Sequence, residues 1–321
     1  MSSPPYHLRK NKAADRFAFI EAIRRLSKLG GDLDKYTYYG MGGPYLEDMR
    51  LIYEFCPEVQ MVSIEEDPDV YLRQSFHLPC GIIQLKNCDM RSFIAEYESL
   101  DNKSIFWLDY TGLDYTHFED FMTLLGKVAQ GSMVKITLRA NSRDYGWDKP
   151  EEERTRLIEE FHRKFSEVMP NPNIDLPREN LKFTSLIQEM LQIAAQEALP
   201  AVADLAFHPV SSFYYNDGTW MYTLTGVIWP RKNRRKVVKA FKSWEFANLT
   251  WENPKLIKIP DLSTKERLHL QRLLPCNGQR GKILSAELGY LIDENAKKTE
   301  ESLEQYAAFH RYSPYFLRGT P

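Results

Sequence analysis

At 321 residues the chain can fold as one large domain or as a core with a second one attached, since a domain takes roughly 100 to 200 residues. A content of 43% hydrophobic and 27% charged residues, with 16 Gly and 18 Pro, excludes the disordered and fibrous classes. A formal charge of -2 and a pI near 6.4 exclude a surface wholly committed to nucleic acid, while leaving room for a local basic patch.

Cys56, Cys80, Cys88 and Cys276 form no C-x-x-C pair and show no zinc-ligand spacing, so a reducing, cytoplasmic setting is expected. The first residues, MSSPPYHLRKNK, lack an apolar signal-like run, and no uncharged apolar stretch approaches the roughly 18 residues needed to cross a bilayer. HExxH, GxxxxGK[ST] and GxSxG are all absent. Zincin, P-loop and α/β-hydrolase chemistry therefore have no sequence support.

Phe19, Ile23, Leu26 and Leu29 recur at helical spacing and predict an amphipathic helix over residues 13–29, stopped by Gly30-Gly31. A strand is predicted at 35–39, then the turn Gly40-Met41-Gly42-Gly43-Pro44, then a helix with Leu46, Met49 and Tyr53 on one face. Further strands at 60–64, 81–85 and 104–108 are followed by Glu65-Glu66-Asp67-Pro68, Asn87-Cys88-Asp89 and Asp109-Tyr110-Thr111-Gly112. A helix carrying Phe118, Phe121, Met122 and Leu125 leads to a fifth strand at 133–138, which ends at Arg139-Ala140-Asn141. Strands alternating with helices predict a parallel sheet covered on both faces. Acidic residues close the second, third and fourth strands, at the edge where open α/β sheets bind ligands.

Residues 142–206 read as a helical insertion, with helices near 151–168 and 179–198 around Pro170-Asn171-Pro172. An insertion of that length caps a site or docks a partner. Strands at 207–215 and 219–229 flank Asn216-Asp217-Gly218, a strong hairpin signal, so an antiparallel pair closes the sheet. Between 231 and 240 stand six Lys or Arg and no acid, leaving 36 basic against 44 acidic groups elsewhere. Within it, Arg231, Lys232, Arg234, Arg235 and Lys236, followed by Phe241, Trp244, Phe246 and Trp251, suit phosphate contacts and base stacking, or else form a solvated linker. The remainder predicts a helix capped at Ser263-Thr264-Lys265-Glu266, a loop at 275–281, a long helix at 294–310 and the run Tyr312-Ser313-Pro314-Tyr315-Phe316.

Five parallel-type strands and a hairpin, with glycines after the first strand and acids after the next three, resemble the class I S-adenosylmethionine-dependent methyltransferases over residues 13–230. TYYGMGGPYLEDMRLIYE, VSIEED and FWLDYTG are also similar to bacterial O-methyltransferases found in phage-defence gene clusters. The implied fold is a Rossmann-like α/β domain over 1–230, with the insertion at 142–206. Residues 231–321 would then form a basic linker and a small, mostly helical region. The implied cofactor is S-adenosylmethionine.

The residue chemistry can be set beside that resemblance. Gly40, Gly42 and Gly43 let the backbone approach a bound methionine moiety, although a tight strand-to-helix connection uses glycines too. Glu65 falls where a carboxylate accepts both ribose hydroxyls, and Asp89 where the superfamily meets the adenine amine; either acid could instead be a solvated loop charge or a helix cap. Asp109 matches the catalytic or substrate-orienting position, with His117 as the second candidate base. The chain departs from the superfamily pattern at Tyr38, where an acid is usual, and at Pro44, which replaces a third glycine. Asp-Tyr-Thr-Gly also differs from the motif of enzymes that methylate exocyclic amines. Asp109 with Asn141 resembles part of a catechol-type magnesium site, but the neighbouring carboxylate is missing and no metal is expected. Three functions follow as expectations: an O-directed methyltransferase, a non-catalytic Rossmann-like scaffold, or an RNA or DNA methyltransferase using the basic segment.

Overall fold

The computed structural model describes residues 9–98, 102–147, 149–172, 174–202 and 204–312. Residues 313–316 of the C-terminal aromatic run lie outside them. The described residues begin with α1 (Lys10–Arg25) and a short 3-10 helix that ends at Gly30, whose φ of 85° makes it the left-handed stop expected of glycine. Then follow β1 (Tyr36–Gly40), α2 (Glu47–Phe55), β2 (Gln60–Glu65), α3 (Pro68–Phe76), β3 (Ile83–Asn87), α4 (Met90–Glu96), β4 (Lys103–Asp109), α5 (Tyr115–Lys127) and β5 (Met133–Arg139). The insertion supplies α6 (Glu151–Lys164) and α7 (Asn180–Ala198). It leads into β6 (Leu205–Asn216), β7 (Trp220–Pro230), α8 (Arg234–Phe241), β8 (Lys255–Ile257), α9 (Thr264–Gln271), α10 (Arg280–Leu288) and α11 (Ala296–Phe309).

The sheet order is β3-β2-β1-β4-β5-β7-β6-β8. Strands β1 to β5 are parallel, and β7 runs antiparallel to β5. From β1 the chain steps outward to β3, then returns past β1 to start β4. The order therefore reverses between β1 and β4, which opens a crevice beyond their carboxyl ends. The closing hairpin is present as its turn residues predict, with Gly218 at φ 102°. It is β7, not β6, that meets β5.

The chain divides into two compact units. The larger, residues 19–214 and 219–255, holds the sheet core. Strand β4 is buried on both faces. On one face Phe106, Leu108, Val134 and Ile136 pack with Phe118 and Phe121 of α5 and Ile187 and Leu191 of α7. On the other, the fully buried Lys135 carries its ammonium 3.8 Å from the centre of the Trp107 ring. Helix α2 turns Leu46, Met49 and Ile52 inward, whereas Tyr53 is 42% exposed. Leu46 and Met49 are buried as the predicted stripe has it, and only its third member differs, Ile52 being buried in place of Tyr53.

The smaller unit contains residues 1–18, 215–218 and 256–321. Asp217 accepts the backbone N–H of Lys12 at 2.8 Å and the Asn11 side-chain amide at 2.8 Å, so the hairpin tip caps α1. Ser263 and Glu266 form the predicted capping box. A helix, α10, begins within the predicted 275–281 loop. It packs on α11 through Gly281, where an added Cβ would collide with the Glu300 carbonyl, and Glu304 accepts both the Gly281 N–H at 2.7 Å and the Arg280 guanidinium. Among the described residues no helix is long and apolar enough to cross a membrane.

Gly281→Ala should therefore destabilise the protein, although Gly to Ala in an unobstructed helix is favourable by about 0.5 to 1 kcal/mol. Urea unfolding checks the sign: an Ala variant as stable as the wild type would contradict the helix packing.

Candidate active site

The register sets the carboxyl ends of the parallel strands in one row. Gly40 stands opposite Ser63 and Trp107, Glu65 opposite Asn87, and Asp109 opposite Thr137. Thus Gly40, Gly42, Gly43, Glu65, Asp89 and Asp109 are gathered at the edge that carries the crevice between β1 and β4. His117 joins them from the first turn of α5.

The glycine turn is shaped by two left-handed residues, Gly43 at φ 55° and Leu46 at φ 53°. Leu46 bears a steric cost of about 1 to 2 kcal/mol there, and its full burial holds it in place. Gly42 is required for another reason: an added Cβ would lie 2.9 Å from Ser63 Oγ and 2.6 Å from Leu46 Cδ2. At Gly43 nothing stands within 4 Å of an added Cβ, so this backbone faces open space. Arg50 and Arg73 hold Tyr45, the first through its carbonyl at 2.9 Å and the second through its hydroxyl at 2.7 Å.

A buried polar network ties this turn to β2 and α3. The Gly42 N–H donates to Ser63 Oγ at 3.3 Å, and the Ser63 hydroxyl donates to Gln74 Oε1 at 3.0 Å. The Gln74 amide then donates to the Gly43 carbonyl at 3.0 Å and, at 3.4 Å, to Glu65 Oε2. Ser63 and Gln74 are wholly buried. Sequence reasoning missed both. The signal available was a lone serine inside the apolar run MVSIE, since a buried hydroxyl needs partners.

Glu65 takes the Asp67 N–H on Oε1 at 3.0 Å, and its partial burial raises its pKa above the ordinary carboxylate range. An ionised carboxylate offers about four acceptor positions, so it retains capacity for a ligand's hydroxyls. Asn87 pins the end of β2 by donating to the Glu65 carbonyl at 2.8 Å. Asp89 is the N-cap of α4, accepting the Ser92 N–H at 2.9 Å, and its bonds to Ser92 hold its pKa low.

Beyond β4 lies a second polar group. Tyr110 donates to Asp120 at 2.8 Å, and Asp120 accepts Arg91 at 2.8 Å. The Tyr110 ring stacks on His117 at 4.0 Å. His117 Nδ1 accepts the Asp114 N–H at 3.2 Å in a capping box, and burial lowers its pKa. With Nδ1 accepting, the ring's proton stands on Nε2. Asp144 is bound bidentately by Arg139, at 2.6 and 3.0 Å, and by Asn141 at 2.8 Å. Among the described residues no group of three His, Cys, Asp or Glu is placed to hold a metal.

Residues 4–320 match a family model described as "Putative O-methyltransferase". The chain belongs to this O-methyltransferase family. No curated protein gives a significant match. Among solved structures the chain is similar to the plantazolicin methyltransferase BamL in complex with a triazolic desmethylPZN analog and SAH: 9% identity, 68% of this chain, 86% of that one, TM-score 0.44. It is also similar to the Methanococcus jannaschii fibrillarin pre-rRNA processing protein, at 10% identity, 61% and 66% coverage and TM-score 0.37. A third is the N-methyltransferase NodS from Bradyrhizobium japonicum WM9, at 11% identity, 65% and 94% coverage and TM-score 0.36.

For this family member the buried network is open to a direct test. Gln74→Leu keeps the volume and leaves Ser63 and the Gly43 carbonyl without their partner, at a cost of about 1 to 3 kcal/mol. Chemical denaturation should show that loss. Wild-type stability in the variant would mean that the network does not hold the turn.

Proposed function

We propose that the chain transfers a methyl group from S-adenosylmethionine to an oxygen acceptor. The observation that carries the reading is the glycine turn at the reversal of strand order, tied through Ser63 and Gln74 to Glu65. A Gly43 backbone facing open space, beside a carboxylate with spare acceptor capacity, fits a ligand that has both an amino-acid end and a ribose. When bound, that cofactor supplies a methyl group activated by a sulfonium centre. In this reading Gly40, Gly42 and Gly43 cradle its methionine end, Glu65 accepts the ribose hydroxyls and Asp89 accepts the adenine amine.

Asp109 is the proposed base that takes the acceptor's hydroxyl proton, while the Nε2–H of His117 orients the acceptor. The family description and the Asp-Tyr-Thr-Gly sequence after β4 support oxygen over an exocyclic amine. A second reading, a non-catalytic Rossmann-like subunit, draws on Tyr38: it is fully buried at the position where an acid is usual, and it leans on Gly40. Fold does not decide between them.

Calorimetric titration with S-adenosylmethionine and S-adenosylhomocysteine does. Binding of both is expected, and binding of neither would establish the scaffold reading. Glu65→Ala should lose about 1.5 to 3 kcal/mol of cofactor affinity, the scale of a hydrogen bond to a charged group. Because the ionised form is the acceptor and its pKa is raised, wild-type affinity should fall on acidification from a pH above the ordinary glutamate range. Glu65→Gln should abolish that step; a step that persists would assign it to another group. In a screen of hydroxylated compounds with methyl-labelled cofactor, Asp109→Asn should methylate any wild-type acceptor at least about 10²-fold more slowly while keeping cofactor affinity within a few fold. Full activity would remove Asp109 from the chemistry.

A further inference from the structure

The basic segment forms a helix with a charged outer face. Helix α8 buries Val237, Ala240 and Phe241, leaving its cations in solvent. Four of the five residues named from sequence have local partners. Arg231 donates to the Leu199 and Pro200 carbonyls, Lys232 pairs with Asp204 at 3.4 Å, and the Lys236 ammonium sits 5.2 Å from the centre of the Trp229 ring. Arg234 donates to the Leu249 carbonyl at 2.9 Å and stays exposed. Among the described residues Arg235, Lys239 and Lys242 pair with no carboxylate.

Arg234, Arg235, Lys239 and Lys242, with Val238, line a shallow groove, widely open to solvent, along this helix. No acid interrupts residues 231–244. At about 1.5 Å per residue, Arg235, Lys239 and Lys242 place charges over some 10 Å of helix axis. A nucleic-acid strand carries a regular row of phosphates, so cations spread over this length can meet more than one of them.

We infer that this groove binds the phosphate backbone of a nucleic acid. The apolar face that a membrane-lying helix would insert is here packed into the protein core. None of the large apolar side chains exposed among the described residues falls between 231 and 255. The helix offers charge alone, which suits a sequence-independent backbone contact. Its place in the fold separates it from the cofactor edge. Val227, near the end of β7, stands opposite Met133 at the start of β5, whereas Asp109 stands opposite Thr137 near its end. The groove is reached from the opposite edge of the sheet, about 20 Å along a seven-residue strand. It therefore serves to hold a nucleic acid, and cofactor binding proceeds independently of it.

The test is fluorescence anisotropy with a labelled 20-nucleotide RNA, a 20-base-pair DNA duplex and, as competitor, vesicles containing phosphatidylserine, between 50 and 200 mM salt. Wild-type affinity for nucleic acid should fall with salt. Replacing Arg235, Lys239 and Lys242 together with Gln should flatten the log-log slope by about 2 to 3, at about 0.7 for each phosphate no longer neutralised on a single strand and about 0.9 on a duplex. Lys239→Gln alone, at an exposed position, should flatten it by about 0.7 to 0.9, and Lys239→Arg should leave it unchanged. S-adenosylhomocysteine affinity should be the same in all variants. The inference is overturned by salt-independent or undetectable binding, by an unchanged slope in Lys239→Gln, or by nucleic acid that the vesicles displace.

Discussion

A serine hydroxyl with no access to water fixes the loop on which the site depends. Ser63 Oγ accepts from Gly42 and donates to Gln74, and the Gln74 amide in turn holds the Gly43 carbonyl and reaches Glu65. The two bonds at Ser63 are made inside the protein, so breaking one strands a buried polar group at about 1 to 3 kcal/mol. That cost makes β2, α3 and the glycine turn one rigid assembly. It also lets the chain tolerate the left-handed Leu46 beside the turn. A cradle held in advance loses less freedom on binding than a mobile one, which is the physical advantage of building the turn this way.

The same sheet keeps two chemistries apart. At the carboxyl ends of β2 and β4 stand Glu65 and Asp109, Asp89 follows β3, and the backbone at Gly43 is open. At the other edge α8 presents cations with no acid among them. The near-zero net charge conceals this separation. Carboxylates such as Glu65 and Asp109 repel a polyanion, which is consistent with the backbone contact we infer for α8 lying at the far edge of the sheet. The strength of that repulsion depends on salt, since screening acts within about 10 Å at 0.1 M.

Much of the sheet was legible because parallel strands buried on both faces read as unbroken apolar runs, as in Ser104 to Leu108. The acids at Glu65 and Asp109 were legible for a similar reason: charge ends a buried strand. What stayed hidden depends on partners distant in the chain. Nothing in Asn216-Asp217-Gly218 says which arm of the hairpin pairs with β5. Ser63 gains meaning only beside Gln74, eleven residues on and one helix away. The role of His117 turns on a backbone N–H at Asp114 that its ring caps, and hydropathy carries no trace of such a bond. Helix α10 is short and weakly patterned, and it becomes intelligible through the close approach of Gly281 to α11.

Amide hydrogen exchange with and without S-adenosylhomocysteine tests the central claim most directly, because it reads the backbone of the turn itself. Bound ligand should slow exchange at residues 40–46, 63–67 and 87–92 while leaving 231–242 unchanged. Saturating ligand that leaves those three segments as they were, or protects only segments elsewhere, would contradict the assignment of the glycine turn and Glu65 as the cofactor site.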